Sequence, residues 1–222
     1  MFSIFPNTWN LDDSDENQTN IYLYGLDENN DSRCVKITGF TPFVYLELPS
    51  EVDWRPKITI LTKKINEICG HDDSTTCKKY CRCSRPEKFQ LTYRKKLYFA
   101  NAVKKDDNYS YKVYPFLLIS FTCQKYARQF SYKAQKLNKM NIFGIGKYQG
   151  YKVHEQDASP VLQLACLRDI PTAGWIKFKG KEKKGEDKET RCDSEFSVSW
   201  KNLMKSDQED VPRPLVLSFD IE

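Results

Sequence analysis

Phe43-Val44-Tyr45-Leu46-Glu47-Leu48 is an unbroken run of β-favouring residues closed by Pro49, which reads as a strand and its end. Ile58, Leu61, Ile65 and Ile68 follow at spacings of three, four and three. That is one face of a helix over residues 57–69, with Gly70 placed to stop it. After a polar loop, Phe89-Gln90-Leu91-Thr92-Tyr93 opens a strand that can run on to Phe99, and Pro115 leads into an apolar run over 116–121. Tyr126, Phe130, Ala134 and Leu137 then repeat at helical spacing. Gly144, Gly146 and Gly150 interrupt the chain before a last short strand at Tyr151-Lys152-Val153-His154. From Phe43 to His154 the order is strand, helix, strand, strand, helix, strand. This is the ferredoxin-like βαββαβ order, shared by RNA-recognition-motif domains, and it sets the expected class as α+β.

On the amino-terminal side, Ile21-Tyr22-Leu23-Tyr24 and the alternating residues 33–38 flank the turn-rich Asp27-Glu28-Asn29-Asn30 and read as a hairpin. On the other side, residues 159–169 read as a helix, with Ser159 as its cap and Pro160 in its first turn. Gly174-Trp175-Ile176-Lys177-Phe178 and Glu195-Phe196-Ser197-Val198-Ser199-Trp200 read as strands. Residues 179–190 between them are almost wholly charged and are expected to form a mobile loop joining a hairpin. A polar stretch over 205–213 leads into a buried-strand pattern, Leu215-Val216-Leu217-Ser218-Phe219. The expected layout is one mixed β domain over 1–210, with its ferredoxin-like core at 43–154. A second domain begins at 211–222, with the boundary near Val211-Pro212.

Charge is segregated along the chain. Residues 1–31 hold seven acids and no Lys or Arg, whereas residues 123–152 hold seven Lys or Arg and no acid. Residues 55–105 hold fourteen Lys or Arg against four acids. A basic middle is an electrostatic footprint for nucleic acid, with a set of solvated faces as the plainer reading. No run approaches the ~18 apolar residues of a membrane-spanning helix, so no membrane partner is expected. The start lacks the pattern of a secretory signal. The eight cysteines are therefore expected to be mostly reduced thiols, in a nuclear or cytoplasmic site rather than a secreted protein.

The strongest chemical signal is Asp220-Ile221-Glu222 at the end of that buried strand pattern. Residues two apart on a strand point to one side, so Asp220 and Glu222 project together. Paired carboxylates repel unless a cation lies between them, and hard divalent ions such as Mg²⁺ take oxygen ligands of this kind. The tripeptide alone is common, and a solvated strand end is its plain alternative.

Other candidates are weaker. Cys69, His71, Cys77, Cys81 and Cys83 fall within fifteen residues. Their spacing matches no common zinc pattern, so free thiols in a polar loop are preferred to zinc at Cys69, Cys77, Cys81 and Cys83. Cys34, Cys123 and Cys166 lie in apolar segments and read as small core residues. Lys96-Leu97-Tyr98-Phe99 offers aromatics for base stacking, with core packing as the plainer reading. Gly144-Ile145-Gly146 leads into a strand rather than a helix, which excludes a dinucleotide loop. His154 has no nucleophile pattern near it and reads as structural.

The string Pro214-Leu215-Val216-Leu217-Ser218-Phe219-Asp220-Ile221-Glu222 resembles the first exonuclease motif of family B DNA polymerases, particularly the delta-type catalytic subunit and its relatives in large DNA viruses. Ile37-Thr38-Gly39-Phe40-Thr41-Pro42-Phe43-Val44-Tyr45 is similar to that family's amino-terminal strand. Lys96-Leu97-Tyr98 followed by Pro115-Phe116-Leu117 keeps its spacing. His154-Glu155 through Leu167, Ile170 and Gly174-Trp175-Ile176 is similar to a delta-type segment. There His154 replaces the usual aromatic, and Cys166-Leu167 stands where the family has Arg-Phe nearby.

The resemblance runs from Ile37 onward in the family's order. It implies the amino-terminal part of a replicative DNA-directed DNA polymerase, a nucleotidyltransferase with a 3′→5′ proofreading exonuclease. On this reading the chain stops inside the first strand of a ribonuclease H-like exonuclease domain. Asp220 and Glu222 would be catalytic metal ligands for two Mg²⁺ ions, and the chain alone would be inactive. The implied partners are template-primer DNA, single-stranded nucleic acid, the rest of the polymerase chain and a sliding clamp. The alternative is a stand-alone single-stranded nucleic-acid-binding module of ferredoxin-like fold.

Overall fold

The computed structural model describes residues 1–15, 17–70, 84–95, 102–105, 108–111 and 113–212. It is a mixed α+β structure in two compact units. One is formed by residues 1–40 and 158–222, the other by residues 41–157.

The first unit opens with three strands, β1 (Phe2–Asp12), β2 (Thr19–Leu26) and β3 (Ser32–Phe40). β1 pairs antiparallel with β2, and β2 with β3. The β2–β3 pair is the hairpin expected around Asp27. The second unit follows with β4 (Phe43–Glu47), α1 (Ile58–Cys69), β5 (Pro86–Lys95), β6 (Ala102–Lys105), β7 (Asn108–Tyr111) and β8 (Val113–Phe121). Then come α2 (Gln124–Ala134), a 3₁₀ turn at Gln135–Lys139, and the short strands β9 (Asn141–Ile142), β10 (Gly146–Lys147) and β11 (Lys152–His154). The chain returns to the first unit with α3 (Pro160–Arg168), β12 (Ile176–Phe178), β13 (Lys181–Lys183), β14 (Ser194–Ser199) and β15 (Leu203–Lys205).

In the second unit the main sheet runs β11-β4-β8-β5 with every neighbour antiparallel. One face carries Val44, Leu46, Leu117 and Ile119, all fully buried. They form one core with Leu61 and Ile65 of α1 and Tyr126 and Phe130 of α2. The periodic apolar residues found these helix faces because a helix that covers a sheet must repeat its apolar positions every three to four residues. Trp54 is wholly buried and still donates its indole N–H to the carbonyl of Pro49 at 2.7 Å, so the ring adds apolar area without an unmatched donor. Ser159 caps α3, its hydroxyl accepting from the Val161 amide at 3.3 Å.

In the first unit seven strands run β13-β14-β3-β2-β1-β12-β15. The expected hairpin between residues 174–178 and 195–200 does not form. β12 pairs with β1 and β15, and β14 pairs with β13 and, in parallel, with β3. Both strands still share a core, with the Phe178 and Phe196 rings 5.2 Å apart. The expectation failed because β1 gives little signal: Pro6, Asn7 and Asn10 break its alternation, and a bulge lies between Pro6 and Thr8. Residues 179–190, read as a charged loop with no apolar residues to hold it, contain β13 and a polar anchor. Lys183, Glu189 and Thr190 all meet the buried Glu195 or its partners. Cys34 and Cys123 are core thiols as expected, but Cys166 is exposed. α3 turns Gln163, Leu164 and Ala165 inward instead.

Gly25 sits where β1 and β2 come closest. A Cβ there would meet the Phe5 carbonyl oxygen, a backbone atom that cannot swing aside. Gly25→Ala is expected to push β1 from its register and destabilise this unit by about 2–3 kcal/mol. Urea unfolding followed by circular dichroism checks this; an unchanged midpoint would contradict it.

Candidate nucleic-acid interface

Residues 41–157 carry 22 Lys or Arg against 11 Asp or Glu, and the rest of the chain carries 13 against 19. The excess positive charge of the sequence therefore falls in one compact unit, where it forms a field favourable to a polyanion. Its helices add to the effect. Neither α1 nor α2 has an acid in its first turn, and Glu67 of α1 is held by Lys64 at 2.7 Å. Lys88, Arg94 and Lys95 are exposed on β5.

Strand alternation puts Phe43, Tyr45, Phe116 and His154 on the sheet face opposite α1 and α2. Their rings touch in sequence. Phe43 lies 5.6 Å from Tyr45, Tyr45 lies 6.2 Å from Phe116, and Phe116 lies 5.9 Å from His154, each edge to face. Phe43 and Phe116 are buried, while Tyr45 is half-buried and His154 is exposed. Of these four rings, the accessible ones are thus the Tyr45 phenol and the His154 imidazole, and exposed Lys88, Gln90 and Arg94 of β5 lie on the same face.

Glu47 accepts from or pairs with His154 Nε2 at 2.9 Å. Burial pushes the Tyr45 phenol up; the Arg94 guanidinium opposes this and Glu155 adds to it. Burial likewise raises the Glu155 carboxyl, against the opposing charges of His154 and Arg94. His154 is therefore structural in the sense expected, packed on Phe116 and tied to Glu47. Lys96-Leu97-Tyr98-Phe99, the stretch singled out for stacking, lies outside the described residues. The ring row on β4, β8 and β11 was missed, although Phe43 and Tyr45 two apart on one strand are its sequence signal.

Asp220 and Glu222 also lie outside the described residues, as do His71, Cys77, Cys81 and Cys83. Cys69 is described. It ends α1 as a buried side chain whose thiol is pushed up to about 11 by burial, and its carbonyl accepts from Lys133 Nζ at 3.1 Å. Among the described residues no group of three or more His, Cys, Asp or Glu is placed to hold a metal ion. No helix among them is long and apolar enough to cross a membrane.

Residues 151–222 match the family described as DNA polymerase family B, exonuclease domain. Over 228 residues the chain is 36% identical to DNA polymerase 120R of Invertebrate iridescent virus 3, covering 97% of this chain and 19% of that protein. It is 29% identical over 223 residues to the DNA polymerase of Acanthamoeba polyphaga mimivirus, covering 96% of this chain and 12% of that one. The chain thus spans about a fifth or less of the length of these relatives. Its fold is like part of the family B DNA polymerase from the hyperthermophilic archaeon Pyrobaculum calidifontis. The TM-score is 0.62 at 12% identity, over 96% of this chain and 21% of that one. At that identity the likeness is one of fold.

Proposed function

We propose, from its resemblance over nearly its whole length to family B DNA polymerases of large DNA viruses, that this chain is the amino-terminal part of a replicative DNA polymerase with a 3′→5′ proofreading exonuclease. The observation that carries the reading is the 36% identity over 97% of the chain to a viral DNA polymerase. Residues 41–157 contribute nucleic-acid binding, and Asp220 and Glu222 contribute the first exonuclease metal ligands. Their carboxylate oxygens are the donor chemistry that Mg²⁺ prefers. When bound, such ions supply an activated water and charge stabilisation at the leaving oxygen. Asp220 and Glu222 would hold them through these oxygens. Zinc at Cys69, Cys77, Cys81 and Cys83 gains no support from the thiol of Cys69, which is buried and disfavoured as a thiolate.

The unit at 41–157 is best read as ferredoxin-like. The strand order β11-β4-β8-β5, antiparallel throughout, supports this, as do the two crossovers through α1 and α2. A stand-alone binding module is the lesser reading, because the likeness to polymerases extends on both sides of that unit.

The isolated chain is expected to bind single-stranded oligonucleotides weakly, with little sequence preference and with affinity that falls as salt rises. Fluorescence anisotropy with a labelled oligonucleotide at low and high salt measures this. No binding at high micromolar protein would contradict the nucleic-acid role.

A further inference from the structure

The outer face of α2 and the end of β11 enclose a polar cleft of about 360 Å³, lined among others by Arg128, Tyr132, Gln135, Lys152, Gln156 and Asp157. All six lie within the unit of residues 41–157. We propose that this cleft is a binding site for one nucleotide of a single strand. Tyr132 stacks on the base, and Arg128 and Lys152 hold the flanking phosphates. The inference rests on the nucleic-acid reading above and gives it a location.

Helix geometry sets up the site. Arg128 and Tyr132 are four residues apart and share one face of α2, with Gln135 following at the start of the 3₁₀ turn, while Phe130 and Ala134 face the core. Lys152 comes from β11, and Gln156 and Asp157 from the loop after it. Tyr132 is 75% exposed. Tyr126 and Phe130 of the same helix are buried almost completely, so Tyr132 is the ring this face of α2 presents to solvent. An exposed aromatic beside cations in a cleft is the arrangement that accepts an unpaired base.

Arg128 and Lys152 make no ion pair among the described residues, so both charges are available to a ligand. The nearest carboxylate in the lining is Asp157, which accepts from the Gln156 amide at 3.4 Å. It disfavours a phosphate beside it, so the phosphate contacts are assigned to Arg128 and Lys152. Gln135 and Gln156 carry both donors and acceptors, so they suit any base edge and predict little sequence preference. The volume is at the small end of ligand sites, which suits a nucleotide and not a duplex. In a duplex, moreover, the base faces are already stacked.

The test uses anisotropy of the 222-residue chain with a labelled single-stranded oligonucleotide and with the corresponding duplex. Tyr132→Ala is expected to weaken single-strand binding about tenfold, the scale of a lost base-aromatic stack, while Tyr132→Phe keeps it. Arg128→Ala with Lys152→Ala is expected to flatten the slope of log affinity against log salt by about 1.4, the release from two phosphate contacts on a single strand. Lys57→Ala with Lys63→Ala, two exposed or half-exposed cations on the α1 side, serves as the charge-matched control and should change affinity less.

If the wild-type chain binds but Tyr132→Ala binds equally well, or the control pair loses as much as the cleft pair, the cleft assignment is overturned and the nucleic-acid reading stands. A duplex that binds as tightly and depends as strongly on Tyr132 overturns the single-strand assignment. No binding by the wild-type chain overturns the nucleic-acid reading, and the cleft assignment with it.

Discussion

Lys183→Met is expected to destabilise the unit that holds β13 and β14 by about 3–5 kcal/mol, the usual result of leaving one partner of a buried ion pair behind. Glu195 is wholly buried. Its Oε1 meets Lys183 Nζ at 2.8 Å. Its Oε2 accepts from the Glu189 and Thr190 amides at 3.0 and 2.9 Å and from the Thr190 hydroxyl at 2.9 Å. Lys183 also reaches Glu189 at 2.8 Å.

For a chain of this length the expected loss corresponds to a melting shift of roughly 10 °C. Adding Glu195→Gln to Lys183→Met should recover part of it, because no buried charge is then left alone. The effect depends on pH in a defined direction. Burial by itself raises the Glu195 carboxyl, but the Lys183 ammonium and the Thr190 and Glu189 donors outweigh it and hold it below its ordinary 4.5. A carboxylate lowered in the fold contributes stability above its ordinary range, and that contribution is lost as pH falls through the folded value. In Lys183→Met the orphaned carboxylate is relieved by protonation. The gap between variant and wild type is therefore widest at pH 7 and closes in the acid range. Thermal unfolding by circular dichroism at pH 7 and near pH 4 reads both; equal stability at pH 7 would contradict the ionic anchor.

The same network marks what the sequence could and could not reveal. The α1 and α2 faces were legible because Leu61, Ile65, Tyr126 and Phe130 are large, apolar and spaced to fit one stripe. The strands at 43–48 and 116–121 were legible because they are buried and β-branched or aromatic. The anchor at Glu195 was not. Residues 179–190 look like solvated charge, and only the fold brings Lys183 opposite a carboxylate twelve residues on.

Nor could the pattern reveal that β14 lies parallel to β3, pairing Ser194 with Arg33 across most of the chain. Local alternation describes a strand's two faces and says nothing of its neighbour. The candidate site divides in the same way. Asp220 and Glu222 stand out in the sequence as an Asp-x-Glu within a longer string, and they lie outside the described residues. The Tyr132 cleft needed three dimensions, since Tyr132 and Lys152 are joined only by the folding of residues 133–151 between them.

The second large effect concerns catalysis in the full-length polymerase that this chain is proposed to begin. Asp220→Ala with Glu222→Ala removes both carboxylates of the proposed first exonuclease motif. Metal-dependent removal of a mismatched 3′ end should fall by at least about a hundredfold, as losses of groups that stabilise transition-state charge commonly do. Primer extension should persist, because on the proposed reading it uses metal-binding acids outside these 222 residues. This separation distinguishes loss of ligands from general unfolding, which would remove both activities together.

The most direct measurement is a single-turnover assay of a mismatched, 5′-labelled primer-template with Mg²⁺, scored in parallel for trimming and for extension. Extension near the wild-type rate with trimming all but lost is the result expected. A double variant that still trims mismatched ends at near the wild-type rate would contradict the assignment of Asp220 and Glu222 and the exonuclease reading built on them.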